Sequence, residues 1–211
     1  MLSPSGEQFE IAFGEQRAVA VEVGGGLRTY SVAGEDVLDG YGVDEMATGG
    51  RGQVLIPWPN RLQDGSYEFD GHRHQLPLTE TAHSNAIHGL VRWVAWCERE
   101  HESHRIVLGH VLHAQPGYPF TLELQIEYEL TASGLTVRTT ATNIGAATCP
   151  YGSGVMVFTG DIPAVERKGL AVEPMTCPPN AFRSGDALVT LEPGESHTAA
   201  WGLSPTIEVR E

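Results

Sequence analysis

Between positions 120 and 130 apolar and polar residues alternate without a break. Phe120, Leu122, Leu124, Ile126, Tyr128 and Leu130 share one side, while Thr121, Glu123, Gln125, Glu127 and Glu129 share the other. A period of two predicts a strand with one face on a core and one in water. Shorter stretches of strand character fall at 9–13, 17–23, 27–32, 67–69, 91–98, 104–113, 135–142, 155–159, 170–172, 187–191 and 206–209. They are separated by Gly, Pro, Asn or Asp, the residues that turns demand. No segment has the 3.6-residue apolar period of a helix of three turns or more. Short strands and frequent turns predict an all-β chain, a β-sandwich or related antiparallel fold.

The composition agrees. Twenty-five glycines and 13 prolines among 211 residues leave long helices little room. The chain is long enough for one sizeable β domain. A net charge of −14 speaks against nucleic acid and anionic membranes as partners, since both attract clustered Lys and Arg. No stretch approaches the roughly 18 apolar residues that cross a bilayer, and the N-terminus lacks a basic-then-apolar leader. Cys97, Cys149 and Cys177 are odd in number and far apart, so no disulfide framework is expected. The expected location is the cytoplasm.

Three segments have polar groups that simple alternation does not explain. In Leu55-Ile56-Pro57-Trp58-Pro59-Asn60-Arg61-Leu62, two prolines stiffen the chain and leave Asn60 and Arg61 at the end of a rigid stretch. A guanidinium beside an amide suits vicinal hydroxyls, and the Trp58 indole suits a sugar's C–H face. The competing reading is a structural turn with a surface Arg. In Asn85-Ala86-Ile87-His88-Gly89, His88 sits on a predicted tight turn. It is either a functional imidazole or a buried, hydrogen-bonded core histidine. In Leu170 to Thr176, Glu173 ends an apolar run and precedes Pro174. If Val172 and Pro174 are buried, desolvation would prepare Glu173 as a general base. Otherwise it is a rim carboxylate paired with an Arg.

Other chemistries find less support. Gly24-Gly25-Gly26 is not a dinucleotide fingerprint, and Gly152-Ser153-Gly154 lacks the spacing of a hydrolase elbow. His72 and His74, with Glu80, His83 and His88 following, loosely resemble a cupin metal set. The step from His74 to Glu80 is too long for that pattern, so no metal is expected.

Taken in order, four stretches resemble the aldose 1-epimerase (galactose mutarotase) family. They are 55–62 with Asp64-Gly65-Ser66-Tyr67; 85–89 with Arg92 and Trp93; 143–154 with Pro150-Tyr151-Gly152-Ser153-Gly154; and 158–161 running into 169–182. The resemblance implies a large antiparallel β-sandwich that interconverts the α and β anomers of free hexoses such as galactose or glucose. It implies that Glu173 takes the proton of the C1 hydroxyl while a general acid protonates the ring oxygen. The ring then opens, the aldehyde turns about C1–C2, and reclosure gives either anomer. It implies further that Asn60 and Arg61 bind sugar hydroxyls; Asn85 and Trp58 are the other candidate substrate contacts. The resemblance would place His88, the second candidate catalytic residue beside Glu173, near the ring oxygen or neighbouring hydroxyls. No cofactor is implied.

One departure is local. In the family, Pro-Tyr-Gly-x-Gly is followed shortly by His-Pro-Tyr, whose His is the general acid. Here Gly154 runs through Val155 into Met156-Val157-Phe158-Thr159-Gly160, which resembles a much later strand of the family. The expectation is a single domain over 1–211, an incomplete sandwich with a family segment missing at about 155–156. Such a chain is expected to be a poor mutarotase, and exposed sheet edges are expected to favour a homodimer. Three alternatives stay open: a non-catalytic carbohydrate-binding module, a hexose-6-phosphate epimerase and, more distantly, a cupin-like metalloenzyme.

Overall fold

The computed structural model describes residues 2–155 and 172–205. Its first unit is a four-stranded antiparallel meander: β1 (Gln8–Phe13), β2 (Gln16–Val21), β3 (Leu27–Val32) and β4 (Glu35–Asp36). Short paired strands follow. These are β5 (Val54–Leu55), β6 (Arg61–Gln63), β7 (Ser66–Phe69), β8 (His72–Gln75) and β9 (Asn85–Ile87), with β6 on β9 and β7 on β8. Next come β10 (Cys97–Glu102), β11 (Arg105–Leu112), β12 (Leu122–Thr131) and β13 (Gly134–Asn143). The described chain ends with β14 (Cys149–Tyr151), β15 (Gly154–Val155), β16 (Val189–Leu191) and β17 (Ser196–Leu203). The largest sheet among the described residues runs β10-β11-β12-β13-β17 and is antiparallel throughout.

The alternating segment is the spine of this sheet. Leu122, Leu124, Ile126, Tyr128 and Leu130 are fully buried on β12. At roughly 1.5–3 kcal/mol for each large side chain, that stripe contributes on the order of 10 kcal/mol before entropy is subtracted. Phe9, Ile11, Ala18, Ala20 and Tyr30 of the meander join the same apolar cluster. The Tyr128 hydroxyl crosses the core to donate to the Gly25 carbonyl at 2.7 Å, so its one polar atom is satisfied. The wet side of β12 is not merely solvated. Glu127 lies between Arg105 and Arg138 and pairs with both.

Two expectations fail in detail. The segment 91–98 is not a strand: only Cys97 and Glu98 enter β10. The preceding residues turn instead, and Trp96 is fully buried with its backbone N–H on the Glu22 carbonyl at 2.9 Å. Conversely, β17 was not expected from 196–203. Its residues alternate only between half-buried and exposed, and its inward side mixes His197 and Ala199 with Trp201 and Leu203, so no unbroken apolar stripe marks it. The segments 156–159, 170–171 and 206–209 lie outside the described residues. Among those described, helix is confined to Ala181–Ser184 (α1) and the single turn Thr81–His83.

What positions the site is a set of main-chain hydrogen bonds between loops. The Gly152 N–H donates to the Pro57 carbonyl at 2.6 Å, and Leu90 N–H to Ile56 at 2.7 Å. The Thr176 N–H donates to Ser153 at 2.9 Å, and Asn180 N–H to Arg61 at 2.7 Å. The last two of these bonds join chain before position 155 to chain after 172. The pairing of β14 with β16 and of β13 with β17 adds to that joint.

Candidate active site

Asn60 is the hinge of the site. It follows Trp58-Pro59 and adopts a left-handed backbone, φ +55°, a conformation that Asn tolerates better than most residues. This turn directs its amide in two ways. Its Oδ1 accepts the Arg61 backbone N–H at 2.8 Å, and its Nδ2 donates to Glu173 Oε2 at 3.3 Å. Residues 113 positions apart in sequence thus meet through one amide.

His88 completes the group. Its backbone is also left-handed, φ +62°, and Gly89 follows at φ +70°. A Cβ at Gly89 would overlap the Ile56 carbonyl, so glycine is required by both conformation and space. The two segments exchange hydrogen bonds. The His88 N–H donates to the Asn60 carbonyl at 2.8 Å, and the Asn60 N–H donates to His88 Nδ1 at 3.2 Å. An accepting Nδ1 fixes the neutral tautomer, with the proton on Nε2. Burial, reinforced by the positive charges of Arg92 and Arg61, pushes the imidazole down to about 4. The ring is therefore neutral at pH 7 and presents one N–H donor.

Arg61 and Asn85 converge on a residue that the sequence reading weighed only as a metal ligand. Arg61 Nε and Nη2 donate to Glu80 Oε2 and Oε1 at 2.8 and 2.7 Å, and Asn85 Nδ2 donates to Glu80 Oε2 at 2.7 Å. These bonds hold the Glu80 carboxyl down at about 2, with Arg61 the larger cause. The Arg61 side chain is 50% exposed. A pair this open contributes about 0–1 kcal/mol to stability, so its main effect is orientation.

Trp58 is a correction. The indole is 3% exposed and packs on Phe182, ring centroids 5.7 Å apart. Its faces belong to the core and are not offered to a sugar. Its Nε1 finds no partner among the described residues. The apolar setting expected for Glu173 is also incomplete, because Val172 is 50% exposed and Pro174 is half-buried. His72 and His74 do not join the group. His74 lies against the rings of Tyr67 and Phe120, and burial lowers its proton affinity.

The family model described as aldose 1-epimerase matches residues 7–155, over two thirds of the chain. The chain belongs to the aldose 1-epimerase family. It is similar to the uncharacterized protein YihR of Escherichia coli K12, with 29% identity over 283 aligned positions, 92% of this chain and 91% of YihR. Ninety-two per cent of 211 residues is about 194, so about 90 aligned positions of YihR have no residue here. Among solved structures, the b2544 protein of E. coli K12 superposes with a TM-score of 0.77 at 17% identity, over 93% of this chain and 99% of that one. A galactose mutarotase-like protein from Clostridium acetobutylicum gives 0.74 at 14% identity, over 92% and 95%. These two likenesses establish the fold of this family member as the galactose mutarotase-like β-sandwich. None of the described helices is long and apolar enough to cross a membrane.

Proposed function

We propose that this site binds a free hexose and retains the base half of an anomer-interconverting reaction. The observation that carries this is the Asn60 amide, which joins Glu173 to the turn holding His88. Glu173 removes the proton of the C1 hydroxyl. With Oε2 engaged by Asn60, its other oxygen is the one directed to substrate. Arg61 and Asn60 orient the hydroxyls, and His88 Nε2–H donates a hydrogen bond to the ring oxygen or its neighbour.

His88 polarises but does not deliver a proton. At neutral pH it carries only the Nε2 proton, and giving that up would leave an imidazolate. The ring-oxygen proton then comes from water, and the loss of a positioned general acid costs on the order of 10²–10⁴ in rate. Optical rotation of freshly dissolved α-D-glucose or α-D-galactose tests this. The expected result is a weak acceleration over buffer that Glu173→Gln removes. An acceleration that survives Glu173→Gln would sink the assignment.

A second reading, a sugar-binding protein without turnover, is favoured by the family match ending at Val155 and by the roughly 90 aligned positions without a residue. We infer that the missing segment belongs at the 155–156 junction, where the general acid would follow. Calorimetric titration with hexose separates the readings. Binding without any acceleration by the unmutated chain favours the binder.

A further inference from the structure

We propose that Glu80 is a positioning residue for Arg61, whose carboxylate clamps the guanidinium and cancels its charge, so that the site offers a sugar directed N–H donors without a free cation. This rests on the hexose-binding reading above. The clamp is a two-point fork through Nε and Nη2, which fixes the guanidinium plane as a single hydrogen bond cannot. Nη1 has no hydrogen bond among the described residues and lies on the open side of the fork.

The carboxylate is itself held from behind. The Asn85 amide donates to it, and the two residues exchange backbone hydrogen bonds of 2.9 and 3.2 Å that close the turn carrying Glu80. Exposure is asymmetric: the Glu80 side chain is 18% exposed, against 50% for Arg61. A half-buried anion backs a cation that faces solvent. Arg61 is anchored at its other end by its backbone N–H on Asn60 Oδ1, so the clamp extends the site's order from main chain to guanidinium. Asn85 then serves the sugar at one remove, through Glu80.

The consequence is a choice of ligand chemistry. A guanidinium already paired with a carboxylate suits neutral hydroxyls, whereas an unpaired one suits a phosphate. Glu80→Gln frees one positive charge at this position without changing side-chain size. Calorimetric titrations of both chains with D-glucose and D-glucose 6-phosphate test this, beside the NMR resonance of the Arg61 Nε proton. Glucose affinity is expected to fall about tenfold, as for loss of a charged hydrogen bond. The preference for the 6-phosphate is expected to rise severalfold, because a charge is uncovered. The Arg61 Nε proton, protected and shifted downfield in the parent chain, is expected to lose both signs in the variant.

Unchanged glucose affinity and sugar preference, with or without a lower Tm, would make Glu80 merely structural and overturn the proposal. So would an unprotected Nε proton in the parent chain. A parent chain that binds neither sugar but shows the protected proton refutes the hexose reading, and with it the ligand role given to the clamp. The NMR result then separates that failure from a failure of the clamp.

Discussion

His88 combines a buried ring, an occupied Nδ1 and two cations nearby, and all three hold it neutral. This has a consequence for stability. The unfolded chain takes up a proton at the ordinary histidine value near 6.5, whereas the folded chain does not until about 4. Protons therefore favour the unfolded state between those limits. The contribution is greatest above pH 6.5, declines as pH falls towards 4, and levels off below that. A shift of this size corresponds to about 3 kcal/mol at most. Urea unfolding at a series of pH values checks it. His88→Asn is expected to remove this part of the acid slope, so that the two stability curves converge between pH 6.5 and 4. At this scale the sequence was informative about Asn60 and His88 because turn residues with polar tips stand out against alternation. It offered Glu80 only as a loose metal ligand, because its role comes from a fork with a residue 19 positions away. It misplaced Trp58, since an indole between prolines reads the same whether it faces a ligand or a core.

The elements repeat that lesson with a different cause. β12 was legible from its period because five large side chains all enter one core. β17 was not, because His197 and Ala199 interrupt the apolar character of its inward side before Trp201 and Leu203, and its place is fixed by eight residues of pairing with β13. Segment 91–98 carries apolar residues, but Trp96 is buried from a turn, so apolar content misled where periodicity was weak. The turn at His88-Gly89 is the most constrained element of the site. Gly89→Ala would combine a left-handed backbone with an overlap on the Ile56 carbonyl. The expected cost is about 3 kcal/mol or more, read as a lower urea midpoint with an unchanged slope. Gly14→Ala is the control. Gly14 also has positive φ, but nothing lies within 4 Å of its Cβ position, so only the backbone cost of about 1 kcal/mol remains.

For the whole molecule, family membership was legible because four motifs kept their order, and the fold followed from it. The proposed junction at 155–156 was legible as a motif that stops, and the family match stopping at Val155 supports that reading. Chain before 155 and chain after 172 nevertheless share the site: Glu173 comes from the later part, and Asn60, Arg61 and His88 from the earlier. They are joined by the Thr176–Ser153 and Asn180–Arg61 main-chain bonds and by two strand pairings. None of those links depends on the covalent connection between the two parts. The protein should therefore behave as a pair of complementing fragments. Cut at an engineered protease site between 160 and 165, the two pieces are expected to co-elute in gel filtration and to part only in denaturant. Separately expressed, they are expected to reassemble when mixed, bringing a carboxylate from one polypeptide to an amide of the other. Pieces that separate without denaturant would mean that the intervening chain, not this stitching, holds the site together.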